Sequence, residues 1–163
     1  MAESTDGNAP FFVDNEVIVV NKHGVWIADG HEISHEPTRK LFARSLKHDE
    51  KGYFLKIGRE TKRIEIEDTA YFVHRIDGEP GKGMTVWVND EQQEKLDPES
   101  LRYRPGRLTC SITRDGRAEE AKFLHAAYFD LLRHLSEDES IYFLDFAGTR
   151  ITLSKKTSSG SKS

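Results

Sequence analysis

Three arginines, Arg102, Arg104 and Arg107, fall within six residues, and Tyr103 stands between the first two. A guanidinium presents a planar fork of donors that matches phosphate or carboxylate, and a neighbouring tyrosine ring can stack on a base. Arg59, Lys62 and Arg63 surround one segment of alternating apolar residues, and His74-Arg75 lies on the next. Lys62, Arg63, Arg75, Arg102, Tyr103 and Arg104 therefore form a candidate anion-binding set, provided their segments meet along one groove. The same cations can instead pair with the acidic runs Asp49-Glu50 and Glu137-Asp138-Glu139, because 32% of the chain is charged.

Other chemistries find less support. His31 and His35 have the spacing of metal ligands, but Ser34 and Pro37 place a helix start between or beside them, so the rings need not share a face. His125 and His134 are separated by about 14 Å of helical rise, too far for one metal. There is no Gly-x-Ser-x-Gly elbow, and nothing brings a base to Cys110. A single cysteine excludes an internal disulfide and a cysteine-based zinc site. Glu67 and Asp68 are adjacent on a strand and face opposite sides, unless the strand has ended there. The loop Gly78–Gly83 is glycine-dense but lacks the Gly-Lys-Ser/Thr ending of a phosphate loop, and no helix follows it. No catalytic residue, metal ligand or cofactor is expected.

A net charge of −4 and a pI near 6.0 give no global attraction to nucleic acid or to an anionic membrane. Met1–Pro10 has neither a basic start nor an apolar stretch, so no signal peptide is expected. No apolar run approaches the ~20 residues that span a bilayer. A cytoplasmic location is the expectation.

The elements that must position the cations carry an internal echo. Arg44–Leu55 (RSLKHDEKGYFL) and Arg133–Leu144 (RHLSEDESIYFL) are identical at seven of twelve positions without a gap, 89 residues apart. Such self-similarity points to repetition. Glu16–Asn21 and Val25–Ala28 read as a strand pair, and Asp29-Gly30 as a turn. Ser34 is the expected N-cap of a helix over Glu36–Lys47. Tyr53–Ile57 and Lys62–Glu67 follow as a hairpin, then Tyr71–Asp77 with Met84–Asn89, and Gln92–Lys95 as a short edge strand. Leu108–Thr113 opens the second copy. Ala118–Leu135 reads as its helix, with Ala121, Leu124, Tyr128, Leu131, Leu132 and Leu135 on a 3.6-residue period. Ile141–Phe146 and Thr149–Leu153 close it. The expected core is Trp26, Leu41, Phe42, Leu46, Phe54, Leu124, Tyr128, Leu131 and Leu135.

The pattern predicts an α+β fold in which two copies of a β-hairpin–helix–β-hairpin unit pack together. The expected organisation is a disordered N-terminus over 1–10, a first repeat lobe with an extra strand pair over 11–97, and a connector over 98–107. A second repeat lobe over 108–154 and a disordered Lys/Ser tail over 155–163 complete it.

His23-Gly24-Val25-Trp26-Ile27-Ala28-Asp29-Gly30-His31-Glu32-Ile33, followed by Leu41-Phe42-Ala43-Arg44-Ser45-Leu46, resembles the opening pattern of an uncharacterised bacterial family, domain of unknown function 1285. Glu60–Tyr71 (ETKRIEIEDTAY) is similar to that family's next block. The resemblance runs from about Lys22 to Tyr71 and is mostly topological after Phe72. It implies a duplicated α+β core whose second half is loosely like a pleckstrin-homology fold. It also implies a nucleotide-like ligand at the interface of the halves, and a role in bacterial signalling. Thr61 stands where the family tends to have Lys, and Ala70 where it tends to have Pro. If that Lys contacts the ligand, Lys62 or Arg63 must replace it here, or this chain binds something else. The resulting expectation is a non-enzymatic ligand-binding or regulatory module for a nucleotide-like anion at the junction of the halves. The alternative is a protein–protein adaptor without a small-molecule ligand; a membrane partner is not expected, and nucleic acid is disfavoured by the charge.

Overall fold

In the computed structural model, which describes residues 11–139 and 141–155, the chain is mostly sheet with two helices, an α+β protein. It divides into two units, residues 1–70 and 71–163. The expectations for 1–10 and 156–163 lie outside the described residues.

In the first unit, β1 (Ile18–Val20), β2 (Trp26–Ala28) and β3 (His31–Glu32) form an antiparallel run. Asp29 and Gly30 both take positive φ, 49° and 84°, as a two-residue hairpin turn requires. The helix α1 (Glu36–Arg44) begins at the expected residue but ends three residues early, because Leu46 and Lys47 belong to the next strand, and the expected cap Ser34 gives way to its neighbour. His35 is its N-cap, with Nδ1 2.8 Å from the Thr38 hydroxyl. Phe42 from α1 packs edge-on against Trp26, with ring centroids 5.5 Å apart, and both are buried. The strands β4 (Leu46–Asp49), β5 (Gly52–Ile57) and β6 (Glu60–Arg63) form a three-stranded meander. Then β7 (Glu65–Ile66) leaves to pair with β1 in parallel, so the single strand expected over Lys62–Glu67 is two strands in two sheets.

The second unit is built on a six-stranded sheet. Its strands are β8 (Tyr71–Glu79), β9 (Gly83–Val88), β10 (Gln93–Lys95), β11 (Arg102–Arg104), β12 (Arg107–Arg114) and β13 (Arg117–Phe123), in the order β10-β9-β8-β13-β12-β11. The expected first lobe over 11–97 runs past the division at residue 70, because β8 pairs with β13 rather than with anything in the first unit. The expected connector is also structured: Pro98–Ser100 is a 3-10 turn and β11 pairs with β12.

The helix expected over Ala118–Leu135 is corrected. Arg117–Phe123 is β13, and α2 spans only His125–Leu132. Asp115 and Gly116, at φ 52° and 74°, make a tight hairpin turn that pairs β13 with β12 along its length. Glu119, Ala121 and Phe123 are buried in alternation. The hairpin with β12 and the non-local parallel pairing with β8, along a half-buried face, override the helix propensity of Ala-Glu-Glu-Ala-Lys.

After α2 come β14 (Ser136–Glu137), β15 (Ile141–Phe146) and β16 (Thr149–Lys155), a second three-stranded meander. Adding 89 to each residue number maps Lys47↔Phe54 and His48↔Tyr53 onto Ser136↔Phe143 and Glu137↔Tyr142. The same shift maps Phe54↔Arg63, Leu55↔Lys62, Lys56↔Thr61 and Ile57↔Glu60 onto Phe143↔Thr152, Leu144↔Ile151, Asp145↔Arg150 and Phe146↔Thr149. Of the expected core, Trp26, Phe42, Leu46 and Leu131 are buried, whereas Leu41, Phe54, Leu124, Tyr128 and Leu135 are half-buried.

The six-stranded sheet is rolled. In a flat sheet β12 and β10 would lie about 19 Å apart, four strand spacings. Instead Arg114 at the end of β12 donates from Nε to Asp90 at 2.6 Å and from Nη1 to Glu94 on β10 at 2.7 Å. Backbone donors of β12 beyond the reach of β11 are met by side chains: Thr113 N–H donates to Glu94 at 3.2 Å, and Ser111 N–H to the Ser100 hydroxyl at 3.0 Å. Val73, Val86, Val88, Leu108, Cys110 and Ile112 are buried in this sheet. The Asp90 side chain is 3% exposed and that of Arg114 9%. Truncating one partner of such a buried pair strands the other charge. Arg114→Ala should therefore lose about 3 kcal/mol, the low end of the usual range because Glu94 keeps some solvent. Urea unfolding monitored by Trp fluorescence checks this; a loss under about 1 kcal/mol would mean the closure does not depend on the arginine.

Candidate functional site

The six residues of the expected anion set are distributed over both units. Lys62 and Arg63 belong to the first. Lys62 Nζ donates to the Val13 carbonyl at 3.1 Å. Arg63 forks onto both oxygens of Asp49, at 2.8 and 2.6 Å, and its guanidinium lies 4.8 Å from the Phe54 ring centre. The acidic run Asp49-Glu50 has thus captured one of the expected ligand groups. The Arg63 hydrogen bonds outweigh the small desolvation of Asp49 and hold its carboxyl down at about 2, against an ordinary 3.8.

In the second unit, Arg75 pairs with Asp77 at 3.2 Å and sits 5.0 Å over the Trp87 ring. Trp87 Nε1 donates to the other oxygen of Asp77 at 2.7 Å, so the three side chains hold one another. Tyr103 turns to the opposite side of β11 from its arginine neighbours and hydrogen-bonds Tyr128 of α2. Burial, then that bond, raises the Tyr128 hydroxyl above its ordinary range.

Arg102 and Arg104 remain. Two apart on β11, they share a face. Arg102 is directly opposite Thr109 and Arg104 directly opposite Arg107. Thr109 in turn faces Lys122, and Ser111 faces Glu120. Directly paired residues share a face, so this side of β11–β13 carries Arg102, Arg104, Arg107 and Lys122 together with the carboxylate of Glu120. That carboxylate is taken by Arg107 at 3.2 Å. Among the described residues Arg102 donates only to the carbonyls of Glu99 and Leu101, at 3.0 and 2.9 Å. Arg104 is exposed and makes no ion pair among the described residues. Beside Arg102 runs an open groove of about 240 Å³ whose lining includes the hydroxyl residues Ser100, Thr109 and Ser111 and the acidic residues Glu119 and Glu120. Sequence reasoning missed Lys122, which it had placed on a helix; only the β12–β13 register brings it here.

Among the described residues no group of three or more His, Cys, Asp or Glu is placed to hold a metal ion, and no helix is long and apolar enough to cross a membrane. His31 and His35 are exposed on β3 and at the α1 N-cap. Cys110 is buried on β12, and burial pushes its thiol up to about 12.

The α+β fold is shared with two solved structures. The chain is similar to a DUF1285 family protein from Silicibacter pomeroyi, with a TM-score of 0.64 and 16% identity over 85% of this chain and 79% of that one. It is also similar to a DUF1285 family protein from Shewanella baltica, with a TM-score of 0.57 and 19% identity over 74% of this chain and 94% of that one. At these identities the likeness is one of fold. No family model and no curated protein matches the sequence.

Two measurements check this electrostatic picture. Asp49 has a depressed folded pKa, so its pairing stabilises the fold above pH 3.8 and is lost as pH falls through about 2. Carboxyl NMR titration should place its midpoint near 2, and near 3.8 in Arg63→Gln; an unchanged midpoint would show that the pair is not made in solution. Cys110 should resist an aromatic disulfide reagent at pH 8 and react fully on unfolding. Rapid native reaction would place the thiol at the surface.

Proposed function

We propose that the chain is a divergent member of the DUF1285 family and a non-enzymatic ligand-binding or regulatory module in bacterial signalling. It holds a small phosphate-bearing anion, nucleotide-like in kind, on the Arg102–Arg104 side of β11–β13. The observation that carries this reading is the direct pairing of Arg104 with Arg107 across two strands. Like charges directly opposite repel; Arg107 has Glu120 as a partner, whereas Arg104 makes no ion pair among the described residues. An anion bridging the arginines supplies the missing charge. The groove beside Arg102 offers it hydroxyl groups only if it stays on the β11 side, away from Glu119 and Glu120, so the contacts that count are those of the two guanidinium groups. Lys62, Arg63 and Arg75 already have partners, so in this reading ligand contacts fall to Arg102 and Arg104, while Tyr103 steadies β11 through Tyr128.

The same reading includes an internal duplication. Its support is the shared register of the two meanders at an offset of 89 residues, together with the seven identities. The loosely pleckstrin-homology-like second half that goes with it is supported only by the make-up of that unit, two sheets and one helix. The adaptor reading draws support from Phe129, 50% exposed on α2 and edge-on to His125 at 4.7 Å.

Calorimetric titration with pyrophosphate and ATP separates the two readings. A guanidinium–phosphate contact contributes about 1.5–3 kcal/mol. Arg102→Gln and Arg104→Gln should each weaken binding about ten- to a hundred-fold. Arg104→Gln should leave stability unchanged or a few tenths of a kcal/mol higher, because repulsion is removed. If neither compound binds, or if both variants bind as the parent does, the anion reading fails and the adaptor reading takes its place.

A further inference from the structure

A second cavity lies in the second unit at a different place from the arginine face. It measures about 220 Å³ and is bounded by the tip of the β8–β9 hairpin, the end of β10 and the β15–β16 turn. Its floor is Met84, Leu96 and Phe146, and its walls are Pro80, Pro98 and Ala147. The floor side chains are buried in the protein yet border open space. The one charged residue in the lining is Lys95, exposed on the edge strand β10, and it makes no ion pair among the described residues. The hairpin wall is preformed. Gly78 has a φ of 93°, and a side chain there would collide with the Gly83 carbonyl oxygen, so the two ends of the hairpin tip are packed against each other.

The apolar side of such a space gives water no polar partner, and an apolar body displaces it favourably there. An uncompensated ammonium beside the apolar floor selects an anionic head on that body. We propose that this cavity takes a small monocarboxylate with an aliphatic tail, its carboxylate on Lys95 and its tail against Met84, Leu96 and Phe146.

The test is a ¹H–¹⁵N NMR titration of the full chain with hexanoate and, separately, with hexan-1-ol. Hexanoate should shift the amides of Gly81, Gly83, Lys95, Leu96 and Ala147, and should bind about five-fold more tightly than the alcohol, as one partly solvated ion pair allows. Lys95→Gln should abolish that preference and Lys95→Arg should keep it. Three results overturn the proposal: no shifts at tens of millimolar hexanoate, shifts centred elsewhere, or equal preference in the parent and Lys95→Gln. The outcome is independent of the phosphate titration, because no residue of this cavity belongs to the Arg102–Arg104 face.

Discussion

The second unit depends on one buried arginine. Its sheet has β10 at one edge and β11 at the other, and Arg114 ties the β12 end back to Asp90 and Glu94. Burial by itself would make that guanidinium easier to deprotonate, but its hydrogen bonds to the two carboxylates more than offset this and raise its pKa. Nearby, burial and then the charge of Glu119 push the Tyr71 hydroxyl above its ordinary range, so the phenol stays neutral beside the arginine. A buried ion pair of this kind adds little net stability over a well-packed apolar substitute. Its contribution here is geometric: it fixes the roll of the sheet and satisfies a strand edge that would otherwise be open to another chain.

That roll also sets where the free cations sit. The stretch from the end of β10 to β11 crosses the gap that the closure creates, with Ser100 meeting Ser111 and the arginines of β11 following at once. Arg102 and Arg104 project from an edge strand already paired on one side, and their spacing is set by the strand rather than by a loop. A binding face on such a strand is preorganised, which lowers the ordering cost of capturing an anion.

The two meanders show how one backbone pattern carries different side-chain solutions. In the first, Arg63 lies over Phe54 and bonds Asp49. In the second, Arg150 lies 3.9 Å from the Phe143 ring centre and 3.7 Å from Asp138. Asp138 and Phe143 are the positions that match Asp49 and Phe54, but Arg150 is two residues short of the match to Arg63, on the same face of the last strand. The contact survives because residues i and i+2 of a strand share a side. These are exposed pairs of small energetic weight, so they mark register more than they stabilise it.

Much of this was legible in the residues alone. The Asp29-Gly30 turn, the alternation in Met84–Asn89 and the Tyr-Phe-Leu echo at 53–55 and 142–144 are local signals, and each corresponds to an element of the structure. The crowding of Arg102, Arg104 and Arg107 was equally plain. What the residues could not reveal is anything that depends on partners distant in the chain. Ala118–Phe123 suits a helix by propensity and a strand by its buried alternation, and the parallel pairing of Ala121–Phe123 with Tyr71–Val73, fifty residues earlier, seats it in the sheet. Arg63 is an anion ligand or half of an ion pair according to whether Asp49, fourteen residues away, stands across the meander. Local composition determined which segments turn, which alternate and where the charge lies. Tertiary structure decided which charges are already neutralised, because a charge is free or spent only relative to neighbours that folding brings within a few ångströms.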